Sequence, residues 1–313
     1  MGHAFVAVAD DATATWWNPA GLPGSLIFDA TVDWAGLNSD LDAPVDRAGS
    51  AAQSRTFGLA VAFPVAGASY VRHRQWRIEP PTVGLPGGRE SGGRDSTARA
   101  LLTHHVGISL AQSVGDAVVV GVTARVIRGS VSVVQTAGTA GDAFERAADA
   151  ASTGSTAGDV DAGVLVRLSR VRLGLAARNL TAPEFDVGAS GRGTSVPRRR
   201  WRLERRVRVG MAVVADAARP GRQPWTVSAD ADLTTDDEVP GGWRGIGAGA
   251  ERWFGGRRVA VRGGVEGSTA GDARATGTGG VSVQVPGGFL LEASGALGAR
   301  ERRGWGLSAH VMF

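Results

Sequence analysis

Charged side chains recur at alternate positions inside apolar runs. Arg206 and Arg208 stand two apart, as do Asp230 and Asp232, and Glu251 and Arg262 fall at like positions in two later runs. In an extended chain residues i and i+2 share a face, so each set projects from one side of a strand. The same faces carry Asp29, Asp33, His105, Arg125, Asp161, Arg167, Arg172, Arg258, Glu266, Glu292 and His310. Unlike charges directly opposed on neighbouring strands favour one register. Two chemistries suit such a lining: structural ion pairs that brace an interior, or a charged constriction that selects solutes. Register decides between them, and composition does not supply it.

Nucleophilic and cofactor chemistry find little support. Ser308 and His310 share a face, but there is no HExxH and no Ser-containing nucleophile elbow. The glycine run Gly277 to Gly280 lacks a phosphate-binding lysine, and the chain has no lysine at all: its 34 basic residues are all Arg. Cysteine is absent, which excludes disulfides and thiolate metal sites. A net charge of +4 is small for a nucleic-acid binder, and no recognition motif of that class is present. The dense basic stretch Arg198, Arg199, Arg200, Trp201, Arg202, Arg205 and Arg206 reads as a solvated loop or as a rim that meets lipid phosphates. The expectation is a protein that is not an enzyme, holds no cofactor or metal and binds no nucleic acid.

The elements that position these charges are strands. No apolar run approaches the eighteen or so residues of a membrane helix, whereas 47 Gly and 13 Pro punctuate the chain. Period-two runs begin with Leu26 to Trp34 and Phe57 to Val65. They continue through Leu102 to Leu110, Val118 to Val126, Val160 to Leu168 and onward to the last, in which Trp305, Leu307, Ala309, Val311 and Phe313 alternate with Gly306, Ser308 and His310. About fourteen such runs emerge, an even number of roughly ten-residue strands, as a closed bacterial outer-membrane barrel requires. Connections alternate: long at Ser39 to Gln53, Pro80 to Thr97, Gly138 to Ser155 and Thr181 to Arg200, and short at Val65 to Gly67, Val114 to Asp116 and Ser169 to Arg170. Long on one side and short on the other is the outer-membrane pattern, and a soluble sandwich gives no reason for it. The fold expected is all-β, a closed antiparallel transmembrane barrel with apolar faces to lipid and Arg206, Arg208, Asp230, Asp232, Glu251 and Arg262 lining the lumen. The long loops are rich in Gly, Arg, Asp and Ser, so no apolar mouth is expected.

Residues 1–24 do not fit the strand pattern. A small, apolar stretch from Ala4 leads to Trp16-Trp17 and breaks at Asn18-Pro19, where Pro fixes the backbone and Gly21 permits a tight bend. The division expected is a hatch over 1–24 and a barrel over 25–313. Met1 to Ala9 lack the basic start and long apolar stretch of a secretory signal, so the signal is taken to be removed or missed.

The stretch from Ala4 to Leu22, AFVAVADDATATWWNPAGL, resembles the amino-terminal signature of the FadL superfamily of outer-membrane proteins, particularly its PorV-like and TraF-like branches. The likeness is greatest at Asp10-Asp11 and at Asn18, Pro19, Ala20, Gly21 and Leu22. Weaker echoes lie at Ala176 to Leu180, Gly247 to Phe254 and Val261 to Gly264. The resemblance implies that these five residues belong to a hatch inside a fourteen-stranded barrel of the Gram-negative outer membrane, bounded by outer-membrane lipid. It further implies passive uptake of small hydrophobic solutes such as fatty acids. The alternative that it implies is a PorV-like binding or assembly partner of a protein-secretion system.

Overall fold

The computed structural model describes residues 1–25, 27–45, 51–79, 96–136, 138–150, 152–186, 200–215, 225–236, 242–271 and 275–313. Alternation in the sequence becomes strand after strand: β1 (Asp29–Ser39), β2 (Ala52–Phe63), β3 (Ala66–Glu79), β4 (Ser96–Val114), β5 (Val118–Thr136), β6 (Thr153–Leu168) and β7 (Val171–Arg178). After a short rim hairpin, β8 (Glu184–Asp186) and β9 (Arg200–Arg202), come β10 (Arg206–Ala215), β11 (Trp225–Asp232), β12 (Gly245–Phe254), β13 (Val259–Ser268), β14 (Thr276–Val285), β15 (Phe289–Gly298) and β16 (Arg302–Met312). Fourteen strands, all but the rim pair, form one closed antiparallel barrel. It is sealed by β1 against β16, in register from Asp29 opposite Met312 to Asn38 opposite Arg303. Closure gives every barrel strand a partner on both sides, a condition lipid imposes on any sheet that crosses it.

The outward faces are apolar. Val120, Val122 and Val126 on β5, Val106, Ile108 and Leu110 on β4, and Trp305 and Leu307 on β16 are all exposed. No described helix is long and apolar enough to cross a membrane; the wall crosses it with strands. Tight turns gather at one mouth, as at Gly287 and Gly288, whose φ of +94° and +81° suits residues without a Cβ. The longer connections gather at the other mouth.

Two of those connections hold structure where only loops were expected. Within Gly138 to Ser155 lies α1 (Ala140–Asp149), its first turn capped by Thr139 Oγ1, which accepts from the Asp142 N–H at 3.3 Å. Ala140, Ala143, Phe144 and Ala147 follow helical spacing and cover Trp76, Ile78, Ala98 and Ala100 on the outer wall of β3 and β4. The rim hairpin turns Phe185 and Trp201 inward against Leu101, Ile127 and Val131. An apolar cluster therefore sits inside the long-loop mouth, contrary to the polar mouth expected from loop composition. Arg200, Trp201, Arg202, Arg205 and Arg206 of the basic stretch are described; Arg198 and Arg199 lie outside the described residues.

Fourteen strands spaced about 4.8 Å apart and tilted about 40° enclose a cylinder roughly 28 Å across between backbone centres. Eight-stranded barrels are filled by their own side chains; one this wide is not. The space is taken by the amino-terminal segment.

Candidate functional site: the lumen and its hatch

Residues 1–25 touch strands on every side of the barrel, which only a segment inside it can do. The Gly2 N–H donates to Thr278 Oγ1 of β14 at 2.9 Å, and the Phe5 and Val6 N–H groups both donate to Asp230 Oδ2 of β11, at 2.8 and 2.9 Å. The Ala12 N–H donates to Asp29 Oδ2 of β1 at 2.8 Å, and the Thr15 carbonyl accepts from Arg125 of β5 at 3.2 Å. Ala4, Val6, Ala12 and Ala14 are buried.

Asn18, Pro19, Ala20, Gly21 and Leu22 make separable contacts. Asn18 is fully buried: its amide donates to the Val6 carbonyl at 2.8 Å and to the Val164 carbonyl of β6 at 3.3 Å, and its Oδ1 accepts from the Ala20 N–H at 3.1 Å. It thus ties the hatch to itself and to the wall while capping a 3-10 turn over Pro19–Gly24. Pro19 opens that turn, where its missing N–H costs nothing. Ala20 is buried, and a Cβ on Gly21 would strike the Ala9 carbonyl. Leu22 fills an apolar cluster with Ala60, Ala62, Ala111, Val119 and Leu165 of the wall.

The wall is cut away to receive this segment. A Cβ on Gly121 would meet the Pro19 backbone, one on Gly174 the Val6 carbonyl, and one on Gly247 the Gly2 carbonyl. These inward glycines form a track on which the hatch backbone lies directly. Nothing in the sequence reading assigned them a role, although their place at alternate positions was visible.

Around the track the charges pair. Arg208 holds Asp232 with two hydrogen bonds of 2.6 and 3.0 Å, from directly opposed positions on β10 and β11. Arg206 reaches Asp236 beyond that strand at 3.2 Å, and Asp230, which also faces inward, serves the hatch. Glu251 and Arg262 are opposed on β12 and β13 with 3.4 Å between charged atoms, and Arg262 also meets Glu292. Arg302 meets Glu266 at 2.8 Å, and Arg125 meets Asp161 at 2.5 Å. Arg258, by contrast, lies in the exposed turn before β13.

Trp16 stands between the Arg125 and Arg178 guanidinium groups, 4.7 and 3.8 Å from its ring centre, with His105 at its edge. Asp11, in the hatch, accepts from the Thr13 N–H at 2.8 Å. Burial in the lumen raises its carboxyl to about 6, against the attraction of His310.

Ser308 Oγ is 2.9 Å from His310 Nε2, and His310 Nδ1 is 3.7 Å from Asp29. Glu292 also faces that ring, at 3.6 Å. The imidazole is thereby the centre of an ion-pair cluster. The strand carrying Ser308 is paired on both sides, with β1 and β15, so its backbone N–H groups are in ladders and hold no oxyanion.

Across β13 to β16, whose ladders run unbroken, small residues leave a shallow concavity of about 580 Å³ lined by Gly264, Gly277, Thr278, Gly279, Gly295, Ala296, Leu297 and Gly304.

The closed fourteen-stranded barrel with its amino-terminal segment folded into the lumen is a FadL-like fold. The fold is similar to a Pseudomonas aeruginosa FadL homologue, at 13% identity and TM-score 0.58 over 99% of this chain and 96% of that one. It is also similar to the monoaromatic hydrocarbon channel CymD, at 11% identity and TM-score 0.63 over 100% and 95%. The Ralstonia pickettii toluene transporter TbuX matches at 15% identity and TM-score 0.56 over 99% and 97%. The chain belongs to the family described as F plasmid transfer operon, TraF, protein, whose model matches residues 48–232. That match begins after the hatch, so the wall carries the family likeness independently of the Asn18 to Leu22 signature. No curated protein matches the sequence.

Proposed function

We propose that the protein is a passive transport barrel of the Gram-negative outer membrane, admitting small hydrophobic molecules past a hatch held in its lumen. The long-loop mouth faces outward and the turn mouth faces the periplasm. The observation that carries this function is the hatch: a segment that fills an otherwise open 14-stranded barrel through hydrogen bonds and small side chains. Purely structural bracing would be better served by bulky packing. Leu101, Ile127, Val131, Phe185 and Trp201, buried against one another inside the outer mouth, make that mouth apolar beneath its polar loops, which supports an apolar cargo. The names of the structural neighbours, a toluene transporter and a monoaromatic hydrocarbon channel, point to the same chemical class.

Uptake of labelled toluene and of a labelled long-chain fatty acid tests this in cells with and without the gene. Loss of uptake on deletion, restored by the intact gene, is expected for at least one of them. Replacement of Asn18 or Pro19 is expected to alter flux while the barrel stays folded. Unchanged uptake across a broad panel of apolar solutes would remove the proposal.

A further inference from the structure

On the outward face the apolar belt ends in a row of basic residues. The outward positions of β5 run Val118, Val120, Val122, Ala124 and Val126, and then Arg128; those of β4 rise through Ile108 and Val106 to His104. On β3 they rise through Tyr70 to Arg72. Register sets the three side by side, Arg72 opposite His104 and His104 opposite Arg128. With strands about 4.8 Å apart, the two arginine positions stand roughly 10 Å apart with the imidazole between them.

Two observations fix the level of this row. From Val118 to Arg128 a tilted strand climbs about 25 Å, the height of a barrel's apolar band. Phe57 is opposite Arg72, and Trp34 is opposite Phe57, with the two rings 5.5 Å apart. Aromatic residues of this kind mark the boundary between hydrocarbon and headgroup. The row therefore lies at that boundary on the long-loop side.

Its charges are unmatched. In the lumen Arg125, Arg208, Arg262 and Arg302 each meet a carboxylate. Arg72 and Arg128 are exposed and have no ion pair among the described residues. One step higher on β3, Arg74 is already committed: it donates to the Ala148 carbonyl at the end of α1 at 2.6 Å, lies over Trp76 and faces Asp149. The Tyr70 hydroxyl, 2.8 Å from His104 Nδ1, holds the imidazole in place. Two guanidinium groups flank a fixed imidazole with no carboxylate among the described residues beside them, and they repel each other until an anion bridges them.

We propose that the Arg72–His104–Arg128 row binds the phosphates of a phosphorylated glycolipid in the outer leaflet. Guanidinium holds phosphate in a bidentate fork, which matches an all-Arg site better than a point charge would. The site rests on the outer-membrane placement given above.

Native mass spectrometry of the full chain tests it. The probes are lipid A carrying its phosphates, enzymatically dephosphorylated lipid A, and phosphatidylglycerol. Heat-modifiable gel mobility reports the folded barrel. The parent is expected to retain phosphorylated lipid A at least tenfold better than either other lipid. The Arg72→Gln, Arg128→Gln double variant is expected to lose that preference, and the Arg72→Lys, Arg128→Lys variant to keep part of it. Equal retention of phosphorylated and dephosphorylated lipid A overturns the site. So does a preference untouched by the Gln pair, or phosphatidylglycerol held as tightly as the glycolipid. A chain that fails to fold into lipid defeats the membrane placement, whereas a folded barrel indifferent to phosphate defeats only the site.

Discussion

Replacing Asp230 by Leu isolates what holds the hatch. Asp230 Oδ2 accepts the N–H groups of both Phe5 and Val6, at 2.8 and 2.9 Å. Leucine keeps the branched shape at a larger volume and removes the acceptor. The Val6 N–H is buried and would lose its partner without access to water; that of Phe5 is nearer the surface of the segment and recovers part of the loss by hydration. An orphaned buried donor costs about 1–3 kcal/mol, so the pair costs about 2–4 kcal/mol of docking free energy. At 1.4 kcal/mol per tenfold, release of the amino-terminal end rises about 30- to 700-fold. Asp230→Asn is the control, because its amide oxygen accepts both N–H groups from the same place. Hydrogen exchange of the Phe5 and Val6 amides in a detergent-folded barrel reads the release directly, and single-channel conductance reads its consequence. Exchange rates at both amides equal in parent and Asp230→Leu, with the barrel folded, would refute the assignment of Asp230 as the hatch anchor.

Three further outcomes follow from the same geometry. Gly174→Leu places a side chain against the Val6 carbonyl and is expected to lift the hatch from its track; conductance should rise with barrel mobility on gels unchanged. Arg208→Met leaves the Asp232 carboxylate buried without its two hydrogen bonds; a loss of about 3–5 kcal/mol of barrel stability is expected in urea titrations, and a double variant with Asp232→Leu should recover most of it. Asp11, raised to about 6 by burial, with Asp10 and Asp29 adding to the rise and His310 opposing it, binds its proton more tightly in the docked hatch than in the free segment. Docking is therefore strongest below about pH 3.8, weakens as pH rises toward about 6 and is flat above, a span of at most about 3 kcal/mol. Protection of the amino-terminal segment from protease should follow that curve in the parent and lose it in Asp11→Asn.

The wall was legible because period two is a geometric necessity of a strand with lipid on one side and water on the other. Each of the fourteen barrel strands coincides with a period-two run, although β4 and β5 extend well past the apolar segments that announced them, to Ser96 and Thr136. The helix α1 was hidden by the expectation of a polar loop, yet Ala140, Ala143, Phe144 and Ala147 carry its spacing. Phe185 and Trp201 could not be paired from sequence, because isolated aromatics in a long connection declare no partner. Charges were legible as a face but not as a network: Arg206 and Asp230, drawn together by nearness in the chain, go instead to Asp236 and to the hatch. Register, which a one-residue slip would change everywhere, is written in no local pattern.

The manner in which the hatch is held bears on its release. The residues it buries against the wall are largely alanines, Ala4, Ala9, Ala12, Ala14 and Ala20, each contributing only about one methyl of transfer free energy, near 0.8 kcal/mol. A segment bulkier at these positions would dock more strongly but would not fit the glycine track at Gly121, Gly174 and Gly247. Specificity thus comes from close backbone approach and from single acceptors such as Asp230 and Asp29, each of which can be lost separately. A segment held this way is expected to detach in stages, each a few kcal/mol deep, while fourteen strand ladders keep the wall intact. Loosening the Phe5 end should cost Asn18 its bond to the Val6 carbonyl and leave it held to β6 by the Val164 carbonyl. Simultaneous release of both ends on substitution of Asp230 alone would show instead that the hatch moves as one rigid body.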